Sequence, residues 1–354
     1  MRASTSSTLF FTFITSCLLS ACSKVPEPTK IEGFAQGTTY HLTFILPDTK
    51  QEAVIAQEVA AELKRIDASI SNYRKDSTIE LFNAQLDTEP HEVNDEIVKL
   101  VEYARTISKA SGSCYDITIK PLFDLWGFKK DVFHLPSDDE LQQTLQLIGM
   151  DKIVTVDATH LQKKLPNLRI DLSSIGQGYS VARLAEILEK HSVLSYIVEI
   201  GGELKVRGKK TDGTPWRIAM EKPISTERKI EKIAVFETGE PMSLMPSGTY
   251  HHYFDSNGKR FSHILDARTG KPIEHNTVVA NAFIADSTLA DAWSTALLCL
   301  GSDEGIKVAD ENNIAALFVD QAVNEAGDQL IEKKSKAMDK LTSVKLEEPE
   351  IVKE

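Results

Sequence analysis

Tyr196-Ile197-Val198-Glu199-Ile200-Gly201-Gly202-Glu203-Leu204-Lys205-Val206-Arg207 is the stretch on which the fold class turns. Two runs rich in β-branched and aromatic residues flank a Gly-Gly pair, and glycine supplies the positive φ that a tight hairpin turn demands. The stretch therefore predicts two adjacent antiparallel strands. Working outward, further strand-like runs lie at 152–156, 168–171, 216–220, 233–236 and 278–284. Helical spacing appears at 51–70, with Ile55, Val59, Leu63 and Ile66, and again through Ile97, Val101, Ala104 and Ile107. Ser137-Asp138-Asp139-Glu140 has the capping-box arrangement ahead of Leu141, Leu145 and Ile148, and a fourth helix is predicted over 179–190. Hairpins mixed with helices, without steady strand-helix alternation, give an α+β class with largely antiparallel sheet.

With 354 residues, 42% hydrophobic and 26% charged, the chain has apolar material for a sizeable core in one large or two small domains. A formal charge of -12, from 40 Lys+Arg against 52 Asp+Glu, repels phosphate backbones, and no basic run interrupts it; nucleic acid is excluded as a partner. Residues 1–21 carry Arg2, the apolar run Leu9-Phe10-Phe11-Thr12-Phe13-Ile14, and Leu18-Leu19-Ser20-Ala21 directly before Cys22. That is the pattern of a secretory signal peptide, for which cleavage after Ala21 is the plain reading. A cysteine after Leu-Ser-Ala also resembles the lipobox of bacterial lipoproteins, which makes Cys22 a lipidation site and 22–30, with Pro26 and Pro28, a short stiff tether. Acyl methylenes contribute about 0.8 kcal/mol each to membrane attachment. The expected location is an exported lipoprotein on the periplasmic face of the inner or outer membrane. Residues 31–331 read as the folded domain, and 332–354, dense in Lys and Glu, as a mobile tail or loosely attached helix. Once Cys17 and Cys22 are set aside, Cys114 and Cys299 are too few for a disulfide framework and too scattered for a zinc site. They read as plain buried thiols, with a single bridge between them as the alternative in an oxidising compartment.

Three stretches offer chemistry. Asp171-Leu172-Ser173-Ser174-Ile175-Gly176-Gln177-Gly178 lies between a strand-like run and a helix, where free N–H groups can face an anion, although small residues there also serve plain turn formation. Asp291 and Thr295 stand one turn apart in 287–300, a buried-helix pattern, so their oxygens share a face. The pair either braces a neighbouring segment or ligates a hard cation, because Mg²⁺ takes one or two carboxylates with other oxygens and substrate phosphate. Ser247-Gly248-Thr249-Tyr250-His251-His252 and Phe261-Ser262-His263-Ile264-Leu265-Asp266-Ala267-Arg268-Thr269-Gly270 set histidines beside hydroxyls and a turn, and histidine suits general-base work near neutral pH.

Taken in this order, the segments resemble the ApbE-type FAD:protein FMN transferases, exported bacterial lipoproteins. The landmarks are Gly37-Thr38-Thr39-Tyr40, Ser71-Asn72-Tyr73-Arg74, Tyr115-Asp116-Ile117-Thr118, Pro121-Leu122 with Leu125-Trp126-Gly127-Phe128, 171–178, Glu199-Ile200-Gly201-Gly202-Glu203, 262–270, and Ala290-Asp291-Ala292-Trp293 through Gly301. The resemblance implies an FAD cleft between two halves of an α+β fold. It also implies attack by a threonine hydroxyl of an acceptor protein on the FMN phosphate of FAD, releasing AMP. Mg²⁺ is the implied cofactor, held by Ser174 through its backbone carbonyl together with Asp291 and Thr295. Such a dication stabilises charge on the phosphoryl oxygens and on the departing AMP.

FAD contacts are implied at Gln36, Tyr73, a strand Tyr115-Asp116-Ile117, Asp171, Gln177 and Leu265, with Tyr73 offering an aromatic face. Glu203 would also line the site. His263 is the implied base for the threonine proton, or else a group that orients phosphate, with Asp266 to orient it. Implied partners are FAD and exported acceptor flavoproteins such as flavin-carrying subunits of membrane redox complexes. The chain departs from the family pattern in having Pro246-Ser247-Gly248-Thr249-Tyr250-His251 where Thr-Ser-Gly-Asp-Tyr-Arg is frequent, Gln36 for Met, Gln177 for Lys or Glu, and Ala267 for Pro. Two competing readings use the same residues: a Mg²⁺-dependent FAD pyrophosphatase, with water in place of threonine, and a non-catalytic flavin-binding lipoprotein.

Overall fold

The computed structural model describes residues 27–46, 48–128, 132–223, 230–250, 253–256, 258–324 and 327–349; the leader, Cys22, His251 and His252 lie outside the described residues. Eight strands form the main sheet: β1 (Thr29–Ala35), β2 (Thr38–Phe44), β3 (Tyr196–Ile200), β4 (Glu203–Arg207), β5 (Met242–Gly248), β6 (Thr277–Ile284), β7 (Ala315–Asn324) and β8 (Gly327–Lys334). They lie side by side in chain order, and each neighbouring pair is antiparallel. The predicted hairpin is the β3–β4 pair, with Gly201 and Gly202 at φ 59° and 104°. The α+β, largely antiparallel expectation is thus met.

Helices α1 (Glu52–Ile70), α2 (Asp95–Ala110), α3 (Ser173–Lys190) and α4 (Ser287–Glu311) are inserted between strands. Ile55, Val59, Leu63 and Ile66 of α1 and Ile97, Val101, Ala104 and Ile107 of α2 join Leu42, Phe44, Val198, Ile200 and Ala282 of the sheet in the principal core. Each Val, Leu, Ile or Phe side chain among these contributes roughly 1.5–3 kcal/mol on burial. The opposite sheet face, with Leu204, Val206, Leu244 and Leu317, packs on a three-stranded sheet of Trp216–Glu221, Ile230–Phe236 and Val344–Glu347. Strand residues alternate faces. Because Leu204 and Val206 turn toward the small sheet, Glu203 turns toward the helices.

The structure departs from the sequence reading at six places. α3 begins at Ser173, not near 179: Gly176 and Gly178, which read as turn residues, are helical because α4 crosses there, and a Cβ on Gly178 would lie 2.4 Å from Asp291 Cβ and from the Ser287 carbonyl oxygen. Residues 168–171 form no strand. Their backbone groups are satisfied by side-chain amides: Asn83 Oδ1 accepts from Ile170 N–H at 2.7 Å, Asn72 and Asn83 Nδ2 both donate to the Ile170 carbonyl, and Asn72 Oδ1 accepts from Leu172 N–H. Tyr115-Asp116-Ile117 is a turn, because Asp116 Oδ1 accepts from Thr118 N–H at 2.7 Å, closing an Asx-type turn.

The charged stretch from 332 is not a tail. It completes β8, forms the helix Lys336–Asp339, and adds Val344–Glu347 to the small sheet, anchored by buried Met338 and Val344. Finally, Cys114 and Cys299 are not free thiols but a disulfide, their Cα atoms 6.0 Å apart. The tether expected over 22–30 likewise gives way to β1 at Thr29.

Candidate active site

A cleft of about 330 Å³ is lined by segments from both halves of the chain, and its volume is in the roughly 300–1,000 Å³ range of small-molecule sites. One wall comes from Tyr73, the turn at Tyr115 and Asp116, and the start of α3 with Asp171, Ser174 and Gln177; the other comes from Glu203, Pro246–Gly248 of β5, His263, Leu265, and Asp291 and Thr295 of α4. Sequence separation between these walls is large, so the sheet and the crossing of α3 over α4 bring them together.

The floor is built by that crossing. The Gly178 N–H, one turn along α3 from Ser174, donates to Asp291 Oδ2 at 2.7 Å. Ser174 and Asp291 line the same cleft. Asp291 is buried, and desolvation raises its pKa to about 7 despite that N–H. One turn on, Thr295 Oγ1 shares a 3.2 Å hydrogen bond with Ser247 Oγ, which also bonds Ser294 Oγ at 2.7 Å. Ser174 Oγ donates to the Tyr115 hydroxyl at 3.1 Å, and burial pushes that phenol upward.

Glu203, at the first position of β4, faces the same floor. Its Oε2 is buried and has no hydrogen-bond partner among the described residues. Burial, and then the negative charge of Asp291, hold its pKa well above the usual carboxylate range.

The remaining candidates fall at the cleft or just behind it. Tyr73 is 84% exposed at the mouth, an aromatic face presented to solvent. Asp171 Oδ1 accepts from Ser173 N–H and Oγ, fixing the start of α3. Asp116 lines the cleft, but its carboxylate accepts from Thr118 and from Met150 N–H, so it shapes the turn. Leu265 is a buried lining residue and His263 a half-buried one. Asp266, weighed as a partner for His263, accepts from Arg268 with both oxygens.

Two residues are not on the cleft itself. Ile117 is buried in the core and supports the wall by accepting from Asp171 N–H through its carbonyl at 2.7 Å. Gln36, at φ 53° in the β1–β2 turn, lines an adjoining hollow of about 160 Å³ that shares Tyr73, Ser173 and Gln177, and its Nε2 donates to Ser180 Oγ at 2.6 Å. The sequence reading did not place the Cys114–Cys299 bridge, Ile119, Phe123 and Pro246 in the cleft. None of these residue types advertises a site by pattern alone.

The donor set fits a hard dication. The floor offers carboxylate, hydroxyl and carbonyl oxygens with no thiolate or imidazole among them, and it leaves one carboxylate oxygen orphaned. With Glu203 and Asp291 ionised, this wall would repel a pyrophosphate unless a cation offset their charge.

Known proteins share this architecture. The profile of the ApbE family matches residues 36–318. The FAD:protein FMN transferase of Haemophilus influenzae is 36% identical over 338 residues, covering 92% of this chain and 95% of its own length. That of Escherichia coli is 32% identical over 84% of this chain and 88% of its own. Among solved structures, the apo flavinyl transferase ApbE of Pseudomonas stutzeri superposes with a TM-score of 0.80 at 34% identity, covering 90% of this chain and 97% of its own. The flavin transferase ApbE of Vibrio cholerae gives 0.77 at 32%, covering 89% and 99%. Matched through most of its length in both sequence and fold, the chain belongs to the ApbE family.

Proposed function

We propose that this protein transfers FMN from FAD to a threonine hydroxyl of an acceptor protein, with a divalent cation, Mg²⁺, at the Ser174–Asp291–Thr295 floor. The observation that carries the reading is the convergence of these three oxygens on a cleft that also holds an exposed aromatic face and a histidine. When bound, the cation supplies positive charge to the phosphoryl oxygens and to the departing AMP. Tyr73 and Leu265 provide aromatic and apolar surface for the flat ring system, and the start of α3 at Ser174 borders the space the phosphates would take.

His263 accepts the proton of the attacking threonine. The threonine oxygen forms a bond to the FMN phosphorus, the bond from that phosphorus to the bridging oxygen breaks, and AMP leaves with the bridging oxygen. The threonine is supplied by exported flavoproteins, such as flavin-carrying subunits of membrane redox complexes. Lipidation at Cys22 after removal of the signal segment would hold the enzyme at the periplasmic face of a membrane near them.

The test incubates the protein with FAD, Mg²⁺ and an acceptor domain, or with the same domain carrying valine at the target threonine. Flavin covalently attached to the threonine form alone, and abolished by a chelator, is the expected result. AMP and free FMN released at equal rates with both acceptors would replace transfer by hydrolysis. FAD binding with no product would leave a flavin-binding protein.

A further inference from the structure

Gly201 and Gly202 make the turn that starts β4 at Glu203, and the alternation of that strand commits Leu204 and Val206 to the small sheet. Glu203 is therefore delivered to the helix side by the fold itself, next to Asp291, with its Oε2 enclosed and without a partner among the described residues. A buried carboxylate oxygen normally takes hydrogen bonds, and leaving one bare is costly. The Gly178 N–H, the donor the crossing aims at this floor, is taken by Asp291. Two acidic groups thus share one enclosed space with the hydrogen-bonding capacity for one. A single cation resolves this, and Mg²⁺ sites commonly use one or two carboxylates.

We propose that Glu203 is the second carboxylate of the cation site, which would hold the metal together with Ser174, Asp291 and Thr295 and bring the charge of the two side chains to match a dication. This rests on the metal-dependent reading above and extends its ligand set.

Mn²⁺, followed by its free-ion paramagnetic resonance signal, reports binding to the full-length protein without FAD or turnover. Glu203→Gln should weaken Mn²⁺ binding at least about tenfold, and Glu203→Asp, which keeps the charge but withdraws the oxygen, should fall between. Asp291→Asn is the reference. If Asp291→Asn weakens Mn²⁺ and Glu203→Gln does not, this inference is overturned while the cation site stands; if neither does, both readings go. In a chelator, Glu203→Gln should melt at or above the wild-type temperature, because an uncompensated buried carboxylate has been removed. A lower melting temperature with unchanged Mn²⁺ affinity would make Glu203 a packing residue and overturn the proposal.

Discussion

Asp291 is largely buried at the cleft floor, and desolvation raises its carboxyl pKa to about 7 in the metal-free protein. The folded value is above the ordinary carboxylate value near 4. This group therefore favours the folded state fully below about pH 4, and that contribution is lost as pH rises through about 7. In a chelator, the melting temperature of the wild type should fall from pH 5 to pH 8 more steeply than that of Asp291→Asn, which keeps only the step of Glu203. Parallel curves for the two proteins would contradict the assignment. Excess Mg²⁺ should abolish the wild-type decline, since ionisation is then compensated.

At this scale the sequence was informative wherever spacing alone fixes direction. Asp291 and Thr295 share a face because they are a turn apart. Ile117 and Asp116 read differently because a strand was expected where an Asx-type turn stands, and a turn sends its side chains inward to Thr118 and Met150 instead of alternating them.

Among the elements, the crossing of α3 and α4 decides the site, and Gly178 permits it. Gly178→Ala would drive a methyl to 2.4 Å from the Ser287 carbonyl oxygen and Asp291 Cβ. The expected cost is about 3 kcal/mol in a urea melt, at the upper end of usual overpacking, with Mn²⁺ affinity reduced along with it. A stability change under 0.5 kcal/mol would mean that the helices are not in this register.

The Cys114–Cys299 bridge ties the turn carrying Tyr115 to α4 one turn beyond Thr295, and it lines the same cleft. Reduction, or the Cys114→Ser/Cys299→Ser pair, should cost on the order of 3–5 kcal/mol by the chain-entropy argument and weaken FAD binding. Unchanged melting on reduction would argue against the link.

Elements were legible where pattern and backbone agree. The Gly-Gly hairpin and the apolar stripes of α1 and α2 are examples. Residues 168–171 failed because Asn72 and Asn83, distant in sequence, replace ladder bonds with side-chain amides. The C-terminal strand failed because charged residues mask the two buried anchors, Met338 and Val344, that hold it.

For the whole molecule, an eight-stranded antiparallel sheet in chain order carries α1 to α4 as insertions, and the cleft forms where segments from both halves meet. The sequence supplied the class but not the sheet order, since pairing partners such as β2 and β3 are separated by three of the principal helices. The net charge of -12 extends into the cleft walls, so electrostatics disfavour phosphate entry without a cation.

The most direct test of the account is the ratio of AMP released to flavin covalently bound on the acceptor, measured in one reaction with FAD and Mg²⁺. Group transfer at this cleft predicts one AMP per attached FMN throughout the time course, with both products falling together in Asp291→Asn. AMP accumulating well beyond attached flavin, or attachment without AMP, would contradict it.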